Sequence, residues 1–402
     1  MNKMTMNMIK NIFNLLAATA AAAALASCGG QDEIYMEWVK KGGYDYPAKA
    51  LNLTSVIGYQ SVIINWEKPM DPAVRTAKLF WDNYAQSIDI DYADYSSGKV
   101  SMPVGNLEDR SYTFDVVNYD DAGNRSLAAE ITVSPYSDSW MVSRSERTVS
   151  LARMDGRDAK IVMSKATDEM VATRFRYKNL QDEWVECETV LKPGENEVTF
   201  PNALKGKRFE YSSSFCPAEG KDTVWRAWTK TEDGISYQLD GSRWNVTATN
   251  GQIYQSNTPE KIFDGRIGSF YSWHSSKSDH NKLAFPKILS IDTMTSPGEE
   301  YSFTGFTFYE NDSSPSMRYI KNYVIYIGSK AYDPNNQDDE RYGIPYISGT
   351  LLTSEPSYSV STTRGAAGRY FSIVFLDSWN GADGFIDLWE LVPYGYIPSQ
   401  AD

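Results

Sequence analysis

Side chains able to carry acid, base or nucleophilic chemistry are few in kind. The chain has two histidines, His274 and His280, and three cysteines, Cys28, Cys187 and Cys216. It contains no G-x-S-x-G elbow, no HExxH pair and no phosphate-cradling glycine loop, so the common catalytic constellations lack their parts. Carboxylates are abundant, with 52 Asp and Glu against 39 Lys and Arg. A glycosidase needs two of them inside a concave site, which small sandwiches with convex faces seldom provide. The expectation is a non-catalytic protein. A net charge of −13, with no local run of Lys or Arg to offset it, argues against a polyanion held by counterion release. Nucleic acid is not an expected partner.

Cys187 and Cys216 stand in strand-like stretches of one domain. Two readings are open. A disulfide between them would contribute about 3–4 kcal/mol by the chain-entropy model in an oxidising compartment; otherwise they are two buried free thiols. Neither is a candidate nucleophile, because no histidine lies near them in sequence.

Cys28 is different. Lys3 and Lys10 give a positive leader, Ile12 to Ala24 a short apolar run, and Leu25-Ala26-Ser27-Cys28 a small-residue cleavage site ending in cysteine. The run is too short and too alanine-rich for a good spanning helix, and no second apolar segment of about 18 residues follows. This ending resembles the lipobox of bacterial lipoproteins, which implies a diacylated thiol and a new N-terminus at Cys28. Each buried methylene of an acyl chain contributes about 0.8 kcal/mol, so two or three chains anchor stably. Gly29-Gly30-Gln31-Asp32-Glu33 resembles the acidic export signal of Bacteroidetes lipoproteins, which implies an outer-membrane, cell-surface location.

The elements behind these residues read as strands. With 402 residues, 42% hydrophobic and 23% charged, the chain suits two to four domains. Its 27 Tyr, 11 Trp and 16 Phe favour pleated surfaces and also supply flat ligand platforms. From about Leu51, short apolar/polar alternations are divided by Gly, Pro, Asn and Asp, as antiparallel sheets require. Val62, Ile64 and Trp66 share one face, as do Ala77, Leu79 and Trp81, and Tyr112, Phe114 and Val116. Those faces are expected to form one core, with Asp121-Ala122-Gly123-Asn124 as a hairpin turn.

Residues 50–136, with an early strand tryptophan and Leu107 before Tyr112, resemble a fibronectin type III domain, in which the tyrosine hydroxyl ties a corner. A weaker copy follows over 137–235. Its strands are expected at 160–164, 172–177, 183–188, 197–200 and 208–215, with a turn over 191–196. Together with Tyr35 to Lys49, residues 31 to 230 resemble a family of Bacteroidetes lipoproteins with paired fibronectin-like modules. The expected layout is a signal peptide over 1–27, a lipid-anchored tether over 28–49, these two modules, and a last domain over 236–402.

That last domain carries Phe263-Asp264-Gly265, Ser269, Trp273-His274-Ser275, the proline-led run 285–292, then 301–309, 320–327, Gly349-Thr350, Arg369-Tyr370-Phe371 and Trp389-Glu390-Leu391. In that order they resemble discoidin-like, or coagulation factor 5/8 type C, domains. The resemblance implies a jelly roll of about eight strands, and alternation within each run independently calls for a sandwich or barrel. The fold class expected is all-β, two fibronectin-like sandwiches followed by a discoidin-like one. Phe270-Tyr271-Ser272 lengthen the family's spacing between Ser269 and Trp273, so either the loop is reshaped or Tyr271 takes the tryptophan's place. Residues 310–319 and 331–346 are long polar insertions.

The same resemblance implies calcium on Asp264, Ser269 and Glu390, a hard cation needing six to eight oxygens; alternatively Asp264 simply caps a turn before Gly265. It also implies glycan binding by rim loops, where an aromatic platform must meet hydrogen-bonding groups. The candidates are Tyr254, Trp273, His274, Arg318, Trp379 and Asn380. Trp273 also fits a core position, His274 a bond to a nearby carbonyl, and Arg318 a solvated rim charge. Trp379 sits in a turn-rich loop with little core to enter. The function implied is a surface glycan-binding accessory of an outer-membrane uptake system, with transporter or glycoside hydrolase partners. The alternative is an adhesin or protein-binding scaffold.

Overall fold

The computed structural model describes residues 46–249, 256–268, 271–275, 285–313, 315–317, 319–379 and 385–402. Cys28 with its leader, Tyr254, Ser269, Arg318 and Asn380 lie outside the described residues. Among those described, the architecture is all-β: antiparallel ladders joined by turns, with helix limited to short pieces such as Asp138–Val142. No described helix is long and apolar enough to cross a membrane.

The described chain divides into two compact units, one running to Trp140 and taking in Glu219–Lys221, the other made of Met141–Ala218 and Asp222–Asp402. In the first, strands Leu51–Gly58, Ser61–Glu67 and Lys99–Gly105 form one sheet. Gln86–Asp91, Thr76–Trp81, Tyr112–Tyr119 and Ala129–Val133 form another. Alternation with period two turns Val62, Ile64, Trp66, Ala77, Leu79, Tyr112, Phe114 and Val116 into one buried cluster, and Trp81 packs against it. The Trp66 indole N–H donates to the Tyr92 hydroxyl (3.0 Å), which donates to Asn118 Oδ1 (2.7 Å). Burial pushes the Tyr92 phenol up to about 12. Tyr112 ties the expected corner, its hydroxyl accepting from the Glu108 N–H at 2.9 Å.

The second unit holds two sandwiches. In the first of them, Glu197–Phe200, Asp158–Met163 and Val149–Asp155 make one sheet. Trp184–Glu186, Met170–Lys178, Glu210–Phe215 and Val224–Trp225 make the other, and Thr229–Lys230 also pairs with Glu210–Phe215. Val149–Asp155 escaped the sequence reading because its residues are all at least partly exposed, leaving no clear alternation. Cys187 and Cys216 are half-buried thiols, not a disulfide, and burial pushes both above their usual titration range.

The second sandwich of this unit pairs a four-stranded sheet (Tyr237–Gln238, Glu390–Tyr396, Tyr301–Tyr309, Ser357–Gly368) with a five-stranded one (Asn245–Thr249, Lys287–Asp292, Tyr370–Phe375, Asn322–Gly328, Pro345–Thr350). Trp273–His274 and Asp387–Leu388 add a short ribbon. The register of Tyr301–Tyr309 shifts between Phe303 and Gly305 against both its neighbours. This bulge changes parity, so Phe303, Phe306 and Phe308 are all buried in one core. Gly305 is required there: a Cβ would lie 2.4 Å from the Val360 carbonyl oxygen. The polar insertion 331–346 is anchored by Tyr342, which is buried, with the Tyr332 ring 5.3 Å away.

The two sandwiches of this unit are sewn together. Met154 N–H donates to the Ser236 carbonyl (2.8 Å) and Ser236 N–H to the Ala152 carbonyl (2.9 Å). The Arg153 guanidinium lies 3.6 Å over the Tyr394 ring. Asp233 accepts from the Tyr396 hydroxyl (2.7 Å) and the Gly365 N–H (2.8 Å). In the first unit, Tyr112→Phe should leave the Glu108 N–H without its acceptor and cost about 1–2 kcal/mol. Urea unfolding followed by circular dichroism checks this, since an unchanged midpoint would deny the hydroxyl its role.

Candidate functional site

Two neighbouring places on the last sandwich gather the chemistry. The first is a rim built where residues 319–322 run beside 376–379, linked by the Ile320 and Ser378 bridge. Buried Glu310 holds one side, accepting from the Tyr319 and Ile320 N–H groups (3.1 and 3.0 Å). Asp377 holds the other, accepting from the Asn322 N–H and Nδ2, both at 2.9 Å. Trp379 is fixed at two points: its backbone N–H donates to the Tyr319 carbonyl (3.0 Å) and its indole N–H to the Leu351 carbonyl (3.1 Å). The residue nonetheless stays 44% exposed. Lys321 Nζ sits 4.9 Å over the indole and 3.8 Å from Asp377.

The rim continues as a row of rings. Tyr319 lies 4.2 Å from Phe385, and Phe385 stacks on His274 at 4.2 Å between centroids. His274 is placed by pairing with Asp387 in the short ribbon. Burial, then the Asp387 charge, pushes the Tyr319 phenol up. Trp273, the strand neighbour of His274, faces the other way: it is wholly buried and packs on Phe375, with 5.9 Å between ring centroids. That corrects its candidacy as a ligand platform, because period-two alternation sends its ring inward. Tyr271 does not take its place; it is exposed, with the Arg266 guanidinium 5.1 Å from its ring. Phe385 and Tyr319 only flank runs that stand out in the sequence, and Lys321 lies inside the run 320–327, where nothing in the pattern marks it as part of a rim.

The second place joins Asp264 and Glu390. Asp264 follows the turn Pro259–Phe263, and its Oδ1 accepts from the Arg266 N–H (2.9 Å), the turn-capping geometry. Gly265, at φ 73°, closes that turn and donates its N–H to Glu390. Glu390 is buried, and its Oε2 has no hydrogen-bond partner. Burial first, then the negative charge of Asp264, pushes its carboxyl up to about 8 against the opposing Gly265 N–H. Gln238, Asp240 and Ser242 share the surrounding cavity. Among the described residues no group of three or more His, Cys, Asp or Glu is drawn together as a metal-binding set. Asp387 is also pushed up, mainly by burial.

In sequence, residues 28–222 match the DUF4998 family, a domain of unknown function. No curated protein matches the chain. Among solved structures, the family 32 carbohydrate-binding module of C. perfringens NanJ, in complex with galactose, is 17% identical and covers 40% of this chain and 99% of its own, with a TM-score of 0.31. A SusE-like protein is 11% identical over 86% of this chain and 97% of its own, with a TM-score of 0.30. A two-domain fibronectin type III segment of chicken tenascin is 11% identical over 45% of this chain and 99% of its own, with a TM-score of 0.21.

Glu390 sets a pH dependence. Unfolded, its carboxyl releases a proton near 4.5; folded, only near 8. Between these values the folded chain binds more protons, so stability falls as pH rises through this window, and Asp387 acts in the same direction. Glu390→Gln should flatten that fall in chelator-treated buffer. Melting temperatures measured from pH 5 to 8 decide it, and parallel curves for the two proteins would contradict the assignment.

Proposed function

We propose that this chain binds carbohydrate, without catalysis, at the rim of its last sandwich. The observation that carries the reading is Trp379, fixed through its indole N–H yet exposed on its ring, beside Lys321. A pyranose offers an apolar C–H face that fits an indole, and hydroxyls that fit a lysine ammonium or an imidazole. The His274, Phe385 and Tyr319 row extends the same rim. A fixed ring loses little freedom on binding, which favours affinity.

Calcium belongs to this proposal as a brace. Asp264, Glu390 and backbone carbonyls of the adjoining loop would hold it. The unpartnered buried oxygen of Glu390 and its repulsion by Asp264 are what a divalent cation would relieve. Bound there, the cation would neutralise both carboxylates and stiffen the turn that leads to Tyr271 and Trp273.

We further propose that Cys28 carries a lipid anchor placing the chain on an outer-membrane surface, among transporter or glycoside hydrolase partners. A second reading is a scaffold that binds protein. It is favoured by Leu352 and Leu376, exposed at 52% and 47%, on the segments that flank Trp379.

A glycan array probed with the purified chain tests the main reading. Trp379→Ala should weaken binding by about ten- to thirtyfold, and chelation should weaken it while lowering the melting temperature. Binding to no glycan, together with capture of a surface protein that is lost on Leu352→Ser, would install the scaffold reading instead. For the anchor, Cys28→Ser should move the chain from the membrane to the soluble fraction on cell fractionation; an unchanged membrane fraction would refute it.

A further inference from the structure

The five-stranded sheet of the sandwich built from residues 149–230 carries an alternating column of indoles and cations. Strand Met170–Lys178 turns Phe175 and Tyr177 into the core, so Arg174, Arg176 and Lys178 take the opposite face. Trp184 reaches them from the neighbouring strand, and Trp225 and Trp228 from the far side. The Arg174 guanidinium lies 4.4 Å from the Trp225 ring and 4.7 Å from the Trp228 ring. Arg176 lies 4.7 Å from Trp228 and 5.5 Å from Trp184, and Lys178 5.3 Å from Trp184. Trp184 and Trp225 remain 42% and 38% exposed.

The three cations are not equivalent. Arg176 is paired with Glu210, and Lys178 with Asp182 at 3.2 Å. Among the described residues Arg174 has no carboxylate within 4.0 Å, and its buried Nε has no hydrogen-bond partner. Opposite it in the ladder stands Ser212, whose hydroxyl donates to the Arg226 carbonyl (2.7 Å). Arg174 is thus a partly exposed cation lying against two rings, with no carboxylate to neutralise it. Partial desolvation strengthens its pull on an anion, and a guanidinium suits a planar or tetrahedral oxyanion.

We propose that Arg174, lying against Trp225 and Trp228, binds the carboxylate or sulfate of an acidic saccharide whose ring rests on the exposed indole of Trp225 or Trp184. Flat rings alternating with donors match the C–H faces and hydroxyls of a sugar chain. A peptide adding as a strand would need an unpaired edge, and this column lies on the sheet's face; the exposed indoles beside Arg174 are what favour a saccharide ring over an acidic side chain alone. The net charge of −13 opposes an anionic partner at long range, so the attraction must come from the local charge of Arg174 at close contact. The site is independent of the rim that holds Trp379.

Affinity electrophoresis of the full chain through polygalacturonate, dextran sulfate, unsubstituted dextran and polyglutamate tests this. Polygalacturonate or dextran sulfate should retard the chain, less so as salt is raised, while dextran should not; which polymer retards separates carboxylate from sulfate. Arg174→Gln and Arg174→Lys should each weaken retardation about tenfold or more, and Trp379→Ala should leave it unchanged. Arg174→Lys keeps the charge and is expected to melt with the parent, which separates lost binding from lost fold. Full retardation of a natively melting Arg174→Lys chain would overturn the proposal, as would no retardation by either polyanion. Equal, Arg174-dependent retardation by polyglutamate would make the partner an acidic polypeptide and overturn the saccharide assignment.

Discussion

The last sandwich depends on the register of strand Tyr301–Tyr309 between its two neighbours. Tyr309 stands opposite Glu390, Phe308 opposite Leu391 and Phe306 opposite Pro393. A slip of one residue would turn the phenylalanines of this strand to solvent and draw Glu390 out of its cavity. The bulge before Gly305 resolves a conflict within the run itself: Phe303 and Phe306 differ in parity, and both must be buried. Phe371 packs within 5.0 and 5.3 Å of these two rings and transmits the constraint to the five-stranded sheet. Loop positions at the rim follow from strand ends that this core leaves no freedom to move.

Carboxylates in this sandwich serve two ends. Glu310 accepts from two backbone N–H groups, Asp377 from the backbone N–H and side-chain amide of Asn322, and both hold adjacent loops in place. Asp292 does similar work in the bidentate pair with Arg369, at 2.7 and 2.9 Å, and that guanidinium holds its carboxyl below the usual range. Glu390 and Asp387 are also buried, yet each keeps an oxygen without a partner. The paired carboxyl of Asp292 is held down, whereas those of Glu390 and Asp387 are pushed up and poised to accept a cation or a proton.

Much of the fold was legible. Alternation located Glu197–Phe200 to the residue and the inward faces of Ser61–Glu67 and of Tyr112, Phe114 and Val116, while Tyr301–Tyr309 was legible through its place in the discoidin-like order of motifs. Gly305 inside a strand was the visible trace of the bulge, since a strand glycine marks a kink or a close backbone approach. Val149–Asp155 was not legible, because its partly exposed residues break the period on which the reading rests. The candidate site was legible only in part. Trp379 announced itself by a bulky ring in a turn-rich loop, but Phe385 meets Tyr319 across 66 positions of chain, and no local pattern encodes that encounter. The column of Trp184, Trp225, Trp228 and the arginines between them is assembled from three segments, so it exists only once the sheet has paired.

Asp233 joins both sandwiches of the larger unit, accepting from Gly365 and Tyr396. Gly365 admits this approach because any side chain there would meet Ser302 Oγ at 2.3 Å. Surfaces borne by the two sandwiches therefore keep a fixed spacing rather than one averaged over a flexible linker. For a long, repeating polymer this turns a second contact into an intramolecular event, governed by the match between its repeat and that spacing rather than by the strength of either contact alone.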